Sequence, residues 1–133
     1  MLEYIKQFDH LYPGIDLWWE SKVMEEDHKK YWNVGSTGIV LGLVVIDLQQ
    51  FKICHLSVKK PGVGIGQFLY KQGMRELIDA GATEVFAHGT PEVVAMFRQA
   101  FGEDWTPTTG LNSFGRTPHD IVIKRKIKWN EKT

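Results

Sequence analysis

Leu56-Ser57-Val58-Lys59-Lys60-Pro61-Gly62-Val63-Gly64-Ile65-Gly66-Gln67-Phe68-Leu69 is the stretch from which the rest of this chain is read. The end of an alternating strand runs into a glycine cluster and then into apolar residues at helical spacing. A glycine loop between a strand and a helix presents unshielded backbone N–H groups at the positive end of the helix dipole, which suits phosphate oxygens. Glycine also keeps a Cβ out of an approaching ligand's way. Two common nucleotide motifs fail here. The dinucleotide pattern GxGxxG, begun at Gly62 and Gly64, meets Gln67 at its third glycine, and a P-loop would end in Gly-Lys-Ser/Thr. The loop also admits a plain reading, as a tight turn with no ligand.

Upstream, residues 38–48 are dominated by Ile39, Val40, Leu41, Leu43, Val44, Val45 and Ile46, which predicts a central strand covered on both faces. A polar break at 47–50 precedes residues 51–58, which alternate at period two, so a hairpin of adjacent strands is expected. Downstream, Phe68, Leu69, Met74, Leu77 and Ile78 predict a helix over 67–80, closed by Gly81. Residues 84–87 read as a returning strand. Thr90 as N-cap with Pro91 in the first turn opens a second helix to residue 100. Such a βαβα unit makes its two strands parallel.

Farther out, residues 105–119 read as a loop with at most one short strand, and 120–127 as a closing strand. At the other end, Leu2, Ile5, Phe8 and Leu11 predict a helix over 2–12 stopped by Pro13-Gly14. Residues 15–31, with Leu17, Trp18, Val23 and Met24 opposite a charged face, predict another helix. The expectation is an α/β fold, a mixed central sheet flanked by helices, as one domain over residues 1–133.

The strand L-x-V, the loop and the helix after it resemble the signature of the GNAT superfamily of N-acetyltransferases, in which R/Q-x-x-G-x-G/A follows an L-x-V strand. Gly64 and Gly66 match its last two fixed positions. Gly81-Ala82-Thr83-Glu84-Val85 is similar to the glycine and strand that follow the helix in that family, and residues 97–102 to its second helix; the likeness covers roughly 38–102. It implies a GNAT-like sheet with acetyl-CoA as acyl donor, bound where the two parallel strands splay. Leu56, Ser57 and Val58 would contact pantetheine, and Gly62, Val63, Gly64, Ile65, Gly66 and Gln67 would hold the pyrophosphate. The implied activity is acetyl transfer to a primary amine, of a small molecule or a protein, by direct attack.

Three positions depart from the pattern. Pro61 stands where the family has Arg or Gln, leaving Lys59, Lys60 or Gln67 to supply a charge or donor. Arg98 stands where the family often has the tyrosine that protonates the departing thiolate, and a guanidinium is a poor proton donor. Pro91 replaces a frequent asparagine. Acetyl transfer needs an uncharged amine, a polarised carbonyl and a route for a proton. His55 and His88 are the candidate catalytic residues, because imidazole titrates near neutral pH; Ser57 or a water are further options. Each histidine also has a plain reading, as a strand residue satisfied by its neighbours. The other reading of the whole chain is a GNAT-fold protein that has lost catalysis and serves as a binding or structural component, as degenerate phage members do.

Composition narrows the partners. Sixteen basic and 16 acidic residues give a formal net charge of zero, which points to no nucleic acid. The longest apolar run is too short to span a bilayer and the first residues lack a signal-peptide pattern, so a cytoplasmic protein with no membrane partner is expected. Cys54 is the lone cysteine and reads as a small buried hydrophobe. Lys124-Arg125-Lys126 reads as a solvated strand edge. His10, His28 and His119 have no ligand spacing, so no metal is expected. The amine acceptor is unknown from sequence, and a homodimer is compatible with it.

Overall fold

The computed structural model describes residues 4, 6, 7, 28–34, 38–108 and 120–132. Strands β1 (His28–Val34), β2 (Val40–Asp47) and β3 (Lys52–Val58) lead into helix α1 (Ile65–Asp79). Strand β4 (Glu84–Gly89), helix α2 (Pro91–Phe101), the two-residue β5 (Thr106–Pro107) and β6 (Ile121–Lys126) follow, and a 3-10 turn covers Trp129–Glu131. The sheet order is β1-β2-β3-β4-β6-β5. Only β3 and β4 run parallel; the other neighbours are antiparallel. This is the expected mixed α/β sheet, with the hairpin, the parallel βαβα unit and the closing strand in their expected places.

Two expectations need correction. The helix expected over 15–31 does not hold at its end: His28–Val34 is a strand, paired with β2 from His28↔Asp47 to Val34↔Val40. Cross-strand pairing along the whole of β2 outweighs the helical spacing set by Leu17, Val23 and Met24. The rest of that segment, with Trp18 and Trp19, lies outside the described residues, as do His10, His119 and most of the helix expected over 2–12. Lys124-Arg125-Lys126 is likewise no free edge. β6 is flanked by β4 and, at Ile123 and Lys124, by β5, and Arg125 Nη2 donates to Glu131 Oε2 at 2.9 Å.

Both described helices cover one face of the sheet. Val44, Ile46, Ile53, Val85, Ala87 and Ile123 pack there with Leu69, Met74, Leu77 and Ile78 of α1 and Val94 of α2. Each fully buried side chain of this kind contributes about 1.5–3 kcal/mol. Between the helices Tyr70 stacks on Phe101 at 4.0 Å and accepts a 2.9 Å hydrogen bond from Trp105 Nε1. Gly42 lets α1 sit close: a Cβ there would lie 2.8 Å from both Ile65 Cγ2 and Leu69 Cδ1. The hairpin between β2 and β3 is closed by Asp47, whose Oδ1 accepts from the N–H groups of Gln49 (2.8 Å) and Gln50 (3.1 Å).

One irregularity sets the geometry of the centre. Val45 pairs with His55 but Ile46 pairs with Ile53, so Cys54 is an extra residue, a β-bulge. Ile53 therefore faces the helices while His55 and Ser57, opposite Val45 and Leu43, face the other way. Strict period-two alternation would have put all three on one side.

Candidate functional site

β3 and β4 pair at only two positions, Lys52↔Phe86 and Ile53↔Ala87. The bulge at Cys54 comes immediately after the second pair and bends β3 away, so from His55 and His88 onward the strands separate. The cleft between them is bordered by His55, Leu56, Ala87, His88, Val93 and Phe97 and holds about 30 Å³ of free space.

Each histidine at the cleft has a buried polar partner. His55 Nε2 lies 2.7 Å from Ser57 Oγ, and Ser57 Oγ lies 2.9 Å from Tyr4 Oη. The Tyr4 hydroxyl also donates to the Ser57 carbonyl at 3.1 Å. All three side chains are more than nine-tenths buried. Burial raises the Tyr4 hydroxyl above its ordinary pKa, against the opposing effect of its bond to Ser57. Across the splay, His88 Nδ1 is 3.1 Å from Asp120 Oδ2, and the two side chains are 7% and 5% exposed.

At the far end of β3 the chain turns through the glycine loop. Lys59 N–H donates to the Leu41 carbonyl at 2.8 Å, which holds the loop's start on β2. Residues 59–64 are exposed. Gly62 (φ 87°) and Gly64 (φ 86°) adopt left-handed backbone, open to glycine without strain. Gly64 is the N-cap of α1, no side chain caps it, and a Cβ added there meets nothing within 4 Å. The space beside Gly64 is therefore open at the positive end of the helix dipole, a geometry that suits an anion.

Of the residues singled out from sequence, the fold brings His55, Ser57 and His88 to the splay and sets Gly62, Val63, Gly64, Ile65, Gly66 and Gln67 around the start of α1. Leu56 and Val58, opposite Val44 and Gly42, share the helix face, so His55 and Ser57 point away from them. The Gln67 side chain is engaged elsewhere: Nε2 donates to the Ala100 carbonyl at 2.7 Å. Arg98 is half-buried, and among the described residues its buried Nε has no hydrogen-bond partner. Two polar residues at the site escaped the sequence reading. Tyr4 lies 53 residues from Ser57 in the chain and carries no local signal. Asp120 stands just before the closing strand, and only the register of β6 on β4 brings it to His88.

Cys54 is buried beneath the site, and burial pushes its thiol up to about 12. Among the described residues no group of three or more His, Cys, Asp or Glu could hold a metal ion. No described helix is long and apolar enough to cross a membrane.

No family model matches the sequence, and comparison with curated proteins finds no match. Solved structures match well. Tetrahymena Gcn5 superposes with a TM-score of 0.70 at 12% identity, over 96% of this chain and 86% of that one. An acetyltransferase of the GNAT family from Staphylococcus aureus Mu50 gives 0.71 at 11% identity, over 96% and 91%. The PaiA N-acetyltransferase of Thermoplasma acidophilum, in complex with coenzyme A, gives 0.59 at 16% identity, over 94% and 79%. The overall architecture is thus a known one, and this chain has the fold of the GNAT superfamily.

Proposed function

We propose that this chain binds acetyl-CoA and transfers its acetyl group to a primary amine. The observation that carries the reading is the splay of β3 and β4 just past Ile53 and Ala87, with two buried histidines at its mouth and an uncapped glycine helix start at the end of β3. Its support from outside is the fold, shared with acetyltransferases of which one holds coenzyme A. The pyrophosphate would lie on the amides of residues 62–67, and the pantetheine arm along Leu56, Ser57 and Val58, whose edge beyond Ile53 is unpaired with β4. The thioester would then reach the splay between His55 and His88. With its one cysteine buried as a free thiol, the protein suits a reducing compartment such as the cytoplasm.

A thermal shift with acetyl-CoA tests binding, because a ligand at about 100 times its dissociation constant adds roughly 2.7 kcal/mol of stability. Thiol release over a panel of amines then tests transfer. No shift at millimolar acetyl-CoA would sink the reading. Binding without release on any amine would favour a protein that keeps the donor site but not the chemistry. Arg98 is the observation on that side, a guanidinium in α2 where a hydroxyl donor would serve the departing thiolate.

A further inference from the structure

Pairing of β3 with β4 ends at Ile53 and Ala87, and the free space just beyond lies against helix α2. Its apolar wall is made by Ile53, Leu56, Ala87, Val93, Phe97 and Ile123. Val93 and Phe97 stand one helical turn apart, so both sit on the face of α2 that meets the parting strands. Neither moves aside cheaply. Val93 lies in the first turn, where its N–H donates to Thr90 Oγ1 at 3.3 Å, and a helical valine has one favoured rotamer. Gly89, the last residue of β4, lets Val93 come close: a Cβ there would lie 2.8 Å from Val93 Cγ1 and 3.1 Å from Val93 Cβ. The Phe97 ring is set edge-on to three others, Tyr70 at 5.9 Å, Phe101 at 4.8 Å and the fully buried Trp105 at 5.1 Å. The space is thus small, about 30 Å³, and its wall on α2 is rigid.

We propose, resting on the acetyl-transfer reading above, that Val93 and Phe97 set the acyl length of the donor, admitting acetyl and turning away propionyl and longer chains. A pantetheine arm along the edge of β3 brings its thioester to the point where the strands part, and the acyl chain beyond the carbonyl enters the apolar space against α2. A methyl group suits a wall of aliphatic and aromatic carbon. Each further methylene has to displace Val93 or Phe97, and overfilling a packed apolar site is unfavourable. One methylene in such a pocket is worth about 10–200-fold in selectivity. Gly89 serves the same end, since its missing Cβ is what lets Val93 close in on β4.

Calorimetric titration of the full chain with acetyl-CoA, propionyl-CoA and butyryl-CoA tests this and needs no acceptor. Wild type binds acetyl-CoA at least about tenfold more tightly than propionyl-CoA, and butyryl-CoA more weakly still. Val93→Ala and Phe97→Leu each cut that preference by about tenfold, one methylene's worth of room. Met96→Ala, on the exposed face of α2, keeps the wild-type preference, which separates the chamber from a general loosening of the helix. Equal affinity for acetyl-CoA and butyryl-CoA in wild type overturns the proposal, as does wild-type selectivity in either folded variant. If neither variant folds, Val93→Ile thickens the wall by one methylene and must weaken acetyl-CoA binding; an affinity equal to wild type overturns the proposal there too. A wild-type protein that binds none of the three donors overturns the acetyl-transfer reading and this inference together, whereas binding with no preference for the short chain removes the inference alone.

Discussion

Gln67 Nε2 donates a 2.7 Å hydrogen bond to the Ala100 carbonyl, lashing the first turn of α1 to the last turn of α2. The side chain is thereby spent on helix packing, and what remains for a phosphate at this position is the backbone amide. Gln67→Ala should cost about 0.5–1.5 kcal/mol in chemical denaturation. Acetyl-CoA affinity should fall by no more than about threefold, because the amide stays. A loss of about tenfold or more, equivalent to 1.4 kcal/mol, would mean that the side chain reaches the ligand.

Gly42 and Gly64 separate two ways of damaging the loop. A Cβ at Gly42 lies 2.8 Å from Ile65 Cγ2 and Leu69 Cδ1, so in Gly42→Ala these side chains at the start of α1 must give way, at about 1–3 kcal/mol. A Cβ at Gly64 meets no protein atom within 4 Å, but its φ of 86° costs an alanine about 1–2 kcal/mol. Both variants lose comparable stability. If the amides of α1 hold the donor's pyrophosphate, Gly64→Ala also loses acetyl-CoA affinity through the Cβ standing in the ligand's path. Calorimetric titration showing equal donor affinity in wild type and Gly64→Ala would place the phosphate elsewhere.

Cys54 makes stability fall with alkali in a defined window. Burial pushes its thiol from an ordinary 9.0 up to about 12, with Lys52 opposing weakly and Asp47 adding. A folded-state pKa above the unfolded value means that the unfolded chain releases its proton first. The contribution is whole below pH 9.0 and is lost as pH rises toward about 12. Tyr4 and Tyr70, also raised by burial, act in the same direction but only above their ordinary 10.0. The difference in urea denaturation between wild type and a thiol-free variant from pH 9.0 to 10.0 therefore isolates the thiol, since the tyrosines are common to both. Over that interval Cys54→Ala, although less stable throughout, should lose stability less steeply than wild type. Parallel slopes would show that the thiol ionises unhindered in the folded protein.

The fold was legible where local chemistry and tertiary pairing agree. The β-branched run before Asp47, the alternation of β3, Gly81 after α1 and the Thr90-Pro91 start of α2 each specify their element without reference to the rest of the chain. β1 was not legible, because His28–Val34 becomes a strand by pairing with β2 and its sequence alone continues a helical spacing. The bulge at Cys54 was equally hidden. Nothing in Ile53-Cys54-His55 marks an extra residue, yet the bulge decides which side chains reach the cleft. The glycine loop and both histidines could be picked out by residue type. Tyr4 and Asp120 could not, since a hydrogen-bond partner far along the chain is defined by the folded sheet and by no spacing.

Arg98 gives a test of what α2 contributes at the site. Its Nε is buried with no hydrogen-bond partner among the described residues, and a desolvated polar group of this kind costs about 1–3 kcal/mol by protein mutational data. The aliphatic stem packs usefully all the same, as long cationic side chains do. Arg98→Met keeps the stem's volume and removes the unpaired group, so thermal denaturation should give a melting temperature equal to or above wild type. Arg98→Ala removes the packing too and should be less stable than Arg98→Met. If the guanidinium steadies negative charge on the departing sulfur, Arg98→Met lowers kcat for thiol release while leaving acetyl-CoA affinity nearly unchanged, the signature of an interaction made only in the transition state. A more stable Arg98→Met protein with undiminished kcat would instead make Arg98 a tolerated burden of the helix with no part in the chemistry.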